Sequence, residues 1–317
     1  MYSKLNSKLN LRQITKHILK PNIISIHDTK YFSVYRTSNK NKELIVNEKD
    51  IGQMKNHKIT NMELIDKNYG LREFIKKTYL YTGGGICGSI GLGVVGGQII
   101  QFFPEHLLGV LGLGTVLGLG GAFGIGFTKY STHKDIISVS KSNVKKNDKK
   151  DQVEILYSVN STGRIVSYGC LVTGMGMTMI PICLVLPNAL LPAFVASSSI
   201  FGASTLWAMK KGVGELEPYG SVLYGGLGGL VGVSLLGLGS NIFFGTNWFG
   251  DMTHLISLYG GIPLFTGLIA YDTHKSIEMY ESGEPDHLGC STQLYLDFLN
   301  LFIRFVEIIG KIQSNKD

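Results

Sequence analysis

The sequence predicts an all-α fold: a polytopic membrane helical bundle of about seven transmembrane helices, with the last helix central. Three observations predict it. Of 317 residues, 44% are hydrophobic and only 17% charged, too apolar for an ordinary soluble domain. Apolar runs of about 20 residues, the length that crosses a hydrocarbon core, recur from Tyr79 to Gly310 between polar connections. Glycine, at 41 residues, is concentrated in those runs, where small residues let helices approach closely.

Residues 1–70 read as a basic, transit-like and disordered N-terminal region. Up to residue 27 it carries Lys4, Lys8, Arg12, Lys16 and Lys20 and no acid, the composition of a mitochondrial transit peptide rather than a secretory signal. A plain basic tail is the alternative, because apolar and basic positions do not separate on a helical wheel. Residues 28–70 are Asn/Lys-rich and read as a linker.

The membrane domain spans 71–311, introduced by Arg72, Lys76 and Lys77. Its first span covers about 79–103, and Pro104-Glu105-His106 turns the chain into the second, about 107–127. Lys129 to Arg164 is a hydrophilic loop with Lys145, Lys146, Lys149 and Lys150. Pro187 splits the third span, about 165–186, from the fourth, about 188–209. Lys210 to Glu217 form the next loop, before a Gly-rich fifth span at about 219–244. The sixth runs about 252–278 and the seventh about 291–310, leaving a polar tail, 312–317. Lys and Arg fall before span one and in every second loop, which places the N-terminal side in the cytosol or the mitochondrial matrix.

Several signals point to packing, not chemistry. Gly112, Gly114 and Gly118 lack the strand and the Gly-Lys-Ser/Thr ending of a phosphate loop. The pairs Gly84 and Gly88, Gly93 and Gly97, and Gly225 and Gly229 have the spacing of close helix contacts. Cys87, Cys170, Cys183 and Cys290 form no CxxC pair and read as buried free thiols. The net charge of +7 flanks apolar spans without a basic-aromatic module, which argues against nucleic acid. No hydrolase-like constellation and no cofactor motif appears, so an enzyme is not expected. His274 reads as an interfacial hydrogen-bonding residue, with a proton relay as the alternative.

The chemistry concentrates between Tyr259 and Gly310, where each of two apolar segments carries one acid, Asp272 and Asp297. An ionised carboxylate at the bilayer centre costs about 2.5–3.5 kcal/mol on insertion scales, so each acid marks a function by default. With Gly283 as the stop of one helix and the next starting near Gly289, both acids fall at similar depth on adjacent antiparallel helices. Gln293, Asp297, Asn300, Arg304 and Glu307 share a polar stripe expected to face the interior. A structural role is the competing reading: Asp272 as a helix-end acid, Asp297 paired with Arg304. The residues alone leave the two level.

YDTHK and LYLDFLNLFIRF resemble the two signature segments of the Bax inhibitor-1 family of transmembrane proteins, whose usual first motif is Tyr-Asp-Thr-Gln. Tyr259-Gly260-Gly261 and Arg304 look more like its mitochondrial, growth-hormone-inducible branch. The resemblance implies that Asp272 and Asp297 form a paired-carboxylate site for Ca²⁺ and protons, with Asn300, Arg304, Gln293 and Thr273 in support. It further implies pH-sensitive Ca²⁺ transport across the mitochondrial inner membrane, by exchange or leak. A scaffold that organises cristae and restrains apoptosis through inner-membrane partners is the alternative, and the endoplasmic reticulum the alternative location. The resemblance also implies a basic residue in the second span that latches the acid pair in bacterial relatives; here that span has none before Lys129, so either Arg304 takes over the latch or the gating differs.

Overall fold

The structure, a computed structural model, describes residues 60–62, 65, 68–139, 151–244 and 247–314. The transit-like stretch, most of the linker and the Lys145–Lys150 cluster lie outside the described residues.

Helix α1 (Tyr69–Ile100) starts at a side-chain cap: Leu71 N–H donates to the Asn68 carboxamide oxygen at 3.2 Å. Leu71, Phe74 and Ile75 are buried, so the helix begins ten residues before its apolar run, and the boundary expected at 71 falls inside its first turn. Part of the expected linker is also built into the fold. Asn61 is fully buried, its N–H donating to Lys211 O at 2.9 Å, while Thr60 bridges Gly212.

A 3₁₀ turn at Pro104–His106 leads into α2 (Leu107–Phe127). The hydrophilic loop that follows is not structureless: β1 (Tyr130–Val139) and β2 (Asp151–Asn160) pair antiparallel, Tyr130 opposite Asn160. Val153, Ile155, Tyr157 and Val159 alternate along β2, and Ile136, Ile137 and Val139 give β1 the strand propensity that the lysines masked. Helix α3 (Thr162–Thr178) is capped by Ser161, and Pro181 starts the short α4 (Ile180–Val185). Pro187 opens α5 (Pro187–Lys210), and a 3₁₀ turn at Glu217–Tyr219 precedes α6 (Gly220–Phe244). Then come α7 (Asn247–Glu281) and α8 (His287–Ser314).

Six stretches are long and apolar enough to cross a membrane: α1, α2 with its 3₁₀ turn, α3 with α4, α5, α6 with its turn, and α7. Helix α8 is not among them. Its 28 residues are long enough, but its polar stripe lowers its hydropathy, and it is sheathed by protein instead: fifteen residues are buried, and it packs on α1, α5 and α7. This is the central helix, with Tyr295, Phe298, Leu299 and Phe302 in the main core.

Close glycine packing falls only partly where the spacing suggested: Gly93 and Gly97 are buried against Met179, Cys183 and Leu184, and a Cβ at Gly93 would lie 3.3 Å from Gly176 O. Around Gly84, Gly225 and Gly229 there is open space, whereas α2 and α3 meet backbone to backbone at Gly118 and Gly174. A methyl group at Gly174 would overlap Gly118 N and Gly114 O. Lipid tails are as apolar as leucine, so fit of this kind, not apolar burial, holds such helices together.

Candidate functional site

The turn between α7 and α8 sets the register of the acids. Gly283 has φ +86, and Gly283 N–H and Glu284 N–H donate to Tyr280 O and Met279 O, the paired bonds of a Schellman motif. Glycine takes that left-handed conformation without a Cβ penalty. Asp286 then caps α8, accepting from Gly289 N–H at 3.0 Å, and its other oxygen holds the buried Arg164 guanidinium. Asp272 lies nine residues before the end of α7 and Asp297 ten after the start of α8, roughly 14 and 15 Å along antiparallel axes.

Both acids are buried, Asp272 at 4% and Asp297 at 7% exposure, and their carboxyl groups are hydrogen-bonding neighbours. Asp272 Oδ1 also accepts from Tyr224 Oη at 3.1 Å, while Asp297 Oδ2 is buried without a hydrogen-bond partner. A buried polar atom left unbonded costs about 1–3 kcal/mol, and a proton on Asp297 offsets that cost by giving the carboxyl a donor. Tyr224 was not foreseen; its signal is a single hydroxyl-bearing aromatic in an α6 of glycine and aliphatic residues.

The expected supporting residues are distributed differently. Thr273 is fully buried, but its hydroxyl bonds Tyr79 Oη at 2.8 Å, away from the pair. Gln293 is exposed, on the outer face of a turn whose Ser291, Thr292, Leu294 and Tyr295 are all buried. Asn300 Nδ2 donates to Leu296 O of its own helix at 2.9 Å. Arg304 makes no ion pair with either aspartate among the described residues. Its Nε and Nη1 donate to Ser257 O and Asn300 O at 3.2 and 3.0 Å, and the guanidinium lies 4.7 Å from the Phe265 ring centroid.

Gly261 explains that placement: a Cβ there would overlap the guanidinium, so its absence lets Arg304 lie against α7. Two sequence features of the resemblance thus meet in space. His274 accepts from Asn61 Nδ2 at Nδ1, 2.7 Å, across 213 positions of the chain, and sets Nε2 3.1 Å from Glu278 one turn on along α7. All four cysteines are free, with Cys183 and Cys290 buried and Cys87 exposed against expectation. Among the described residues no group of three or more His, Cys, Asp or Glu is placed to hold a metal.

A family described as "Inhibitor of apoptosis-promoting Bax1" matches residues 71–315. Bax inhibitor 1 of Bos taurus is 30% identical over 146 residues, 45% of this chain and 58% of the bovine protein. Bax inhibitor 1 of Homo sapiens matches with the same identity and the same coverage. An uncharacterized protein of Rickettsia prowazekii is 29% identical over 256 residues, 76% of this chain and 90% of the other. The chain thus spans 58% of the length of the mammalian relatives. No solved structure matches it.

Proposed function

This chain belongs to the Bax inhibitor-1 family, and from that premise we propose that it carries Ca²⁺ across a membrane in exchange for, or gated by, protons at Asp272 and Asp297. The observation that carries the reading is the buried contact between the two carboxyl groups, with one orphan oxygen on Asp297. Two carboxylates side by side in low dielectric cannot both ionise cheaply, so the pair holds one proton between them. Tyr224 donates to Asp272, which stabilises charge there and leaves the proton on Asp297.

A divalent cation reverses the preference. Its charge neutralises both carboxylates and expels the shared proton, linking Ca²⁺ uptake to proton release. The two acids supply at most four oxygens, short of the 6–8 that Ca²⁺ prefers, and water would complete the shell. Modest affinity follows. Arg304 sits about 10 Å further along α8 and fixes α7 to α8 instead of latching an acid.

The acid-poor basic start, and the Tyr-Gly-Gly and Arg304 features, support the mitochondrial inner membrane as the location, with the basic loops in the matrix. The test is pH-dependent Ca²⁺ uptake in proteoliposomes. Wild-type protein should transport and release protons, and Asp272→Asn and Asp297→Asn should each abolish both; wild-type flux in both variants removes the proposal. The name of the matched family favours a second reading, a non-transporting regulator of apoptosis that acts through protein partners, with organisation of cristae as its counterpart in the proposed location. Rescue of cell death and membrane morphology by the same two variants would favour it.

A further inference from the structure

At the N-terminal end of α8, the two-stranded ribbon is joined to the helix that carries Asp297. Helix α8 begins with His287, 8% exposed, whose ring lies 5.5 Å from that of Tyr81 on α1. Its Nδ1 is 2.6 Å from Ser158 Oγ and its Nε2 3.1 Å from Asn160 Nδ2, both on β2. Both ring nitrogens of one α8 residue are thus bonded to one strand.

The protonation state follows from the neighbours. Arg164 Nη1 donates to Asn160 Oδ1 at 3.0 Å, and a guanidinium has only donors. The Asn160 carboxamide is therefore oriented with its oxygen toward Arg164 and its NH₂ toward His287. Nε2 must accept, so the imidazole is neutral and Nδ1–H donates to Ser158. A second proton on Nε2 would face the Asn160 NH₂, donor against donor.

The charged and titratable groups around the ring oppose that proton more than they welcome it. Lys77 reaches it from α1 and Arg164 from α3, whereas Asp286 of its own turn attracts it. Glu73, Lys77 and Tyr157 line the cavity of about 30 Å³ beside the ring. Tyr130 of β1 stacks under Arg164, 4.7 Å from its guanidinium carbon. Burial, ahead of the two cations, pushes the His287 imidazole below its ordinary value.

We propose that His287 is a proton-sensitive joint: while neutral it pins β2 to the first turn of α8, and on protonation it releases the ribbon. The sign is that of a buried neutral histidine. The released state binds the extra proton, so docking is complete above the ordinary imidazole pKa of about 6.5 and weakens as the pH falls below it. The joint does not depend on what the aspartate pair carries.

Backbone hydrogen exchange of full-length protein in lipid nanodiscs tests this, expressed as protection factors for Tyr157–Asn160 so that the pH dependence of intrinsic exchange cancels. Between about pH 7.5 and about pH 5.5 the docking constant should fall about tenfold, because the released imidazole titrates at about 6.5. His287→Gln, which cannot gain a charge, should show the same protection at both pH values. Asn160→Asp keeps the acceptor for Arg164 and puts an acceptor opposite Nε2, so its protection should rise on acidification. Unchanged wild-type protection, or a wild-type response in Asn160→Asp, overturns the proposal. Ca²⁺ flux is not the readout, so the result stands apart from that of the transport experiment.

Discussion

Replacing Gly261 with Ala tests how Arg304 is held. The added methyl overlaps the guanidinium, which must abandon the carbonyls of Ser257 and Asn300 and its place over Phe265. Hydrogen bonds from a charged donor contribute about 1.5–3 kcal/mol each, and part is recovered as the long side chain finds other acceptors. The net cost should be about 2–4 kcal/mol, against the gain of roughly 0.5–1 kcal/mol that Gly→Ala brings inside a helix. Gly260→Ala is the control: that position faces open space and should be neutral or slightly stabilising. Equilibrium unfolding in mixed micelles, run as a double-mutant cycle with Arg304→Met, isolates the contact. In the Arg304→Met background the cost of the added methyl should fall below about 0.5 kcal/mol. An equal cost in both backgrounds would show that Gly261 does not exist for Arg304, and refute the reasoning.

Two further outcomes are expected from the same assay. Arg164→Gln or Asp286→Asn alone strands one buried charge and should cost about 3–5 kcal/mol, while the double variant should recover most of it, since a neutral pair needs no counter-ion. Equal losses in single and double variants would contradict the ion pair. Gly174→Ala should destabilise by about 1–3 kcal/mol through overlap with the α2 backbone, whereas Gly84→Ala and Gly225→Ala should not destabilise at all.

The bundle and its central helix were legible because a polar stripe on an apolar helix has few places to go but inward. The meeting of Asp272 and Asp297 was legible for a similar reason: a positive-φ glycine at 283 and a cap three residues later fix two antiparallel axes, and rise per residue does the rest. Partners from distant segments were not. Tyr224 reaches Asp272 across 48 positions, and Asn61 reaches His274 across 213; periodicity within one helix carries no sign of either. Glycine spacing was informative for one pair and not for the others. It identifies faces that permit close approach: Gly93 and Gly97 do meet a neighbouring helix, whereas Gly225 and Gly229 face open space, and Gly174, which belongs to none of the spaced pairs, touches Gly118. The ribbon was hidden because lysines dominate the composition of a segment whose alternation, not its mean polarity, decides its structure.

The most direct measurement of the central claim is an infrared difference spectrum of the purified protein on Ca²⁺ addition near neutral pH. The account predicts loss of a protonated-carboxyl C=O band as the ion enters, with a proton released to the buffer, and no such band in Asp297→Asn. Ca²⁺ binding with no change in that band, or the same change in Asp297→Asn, would contradict it.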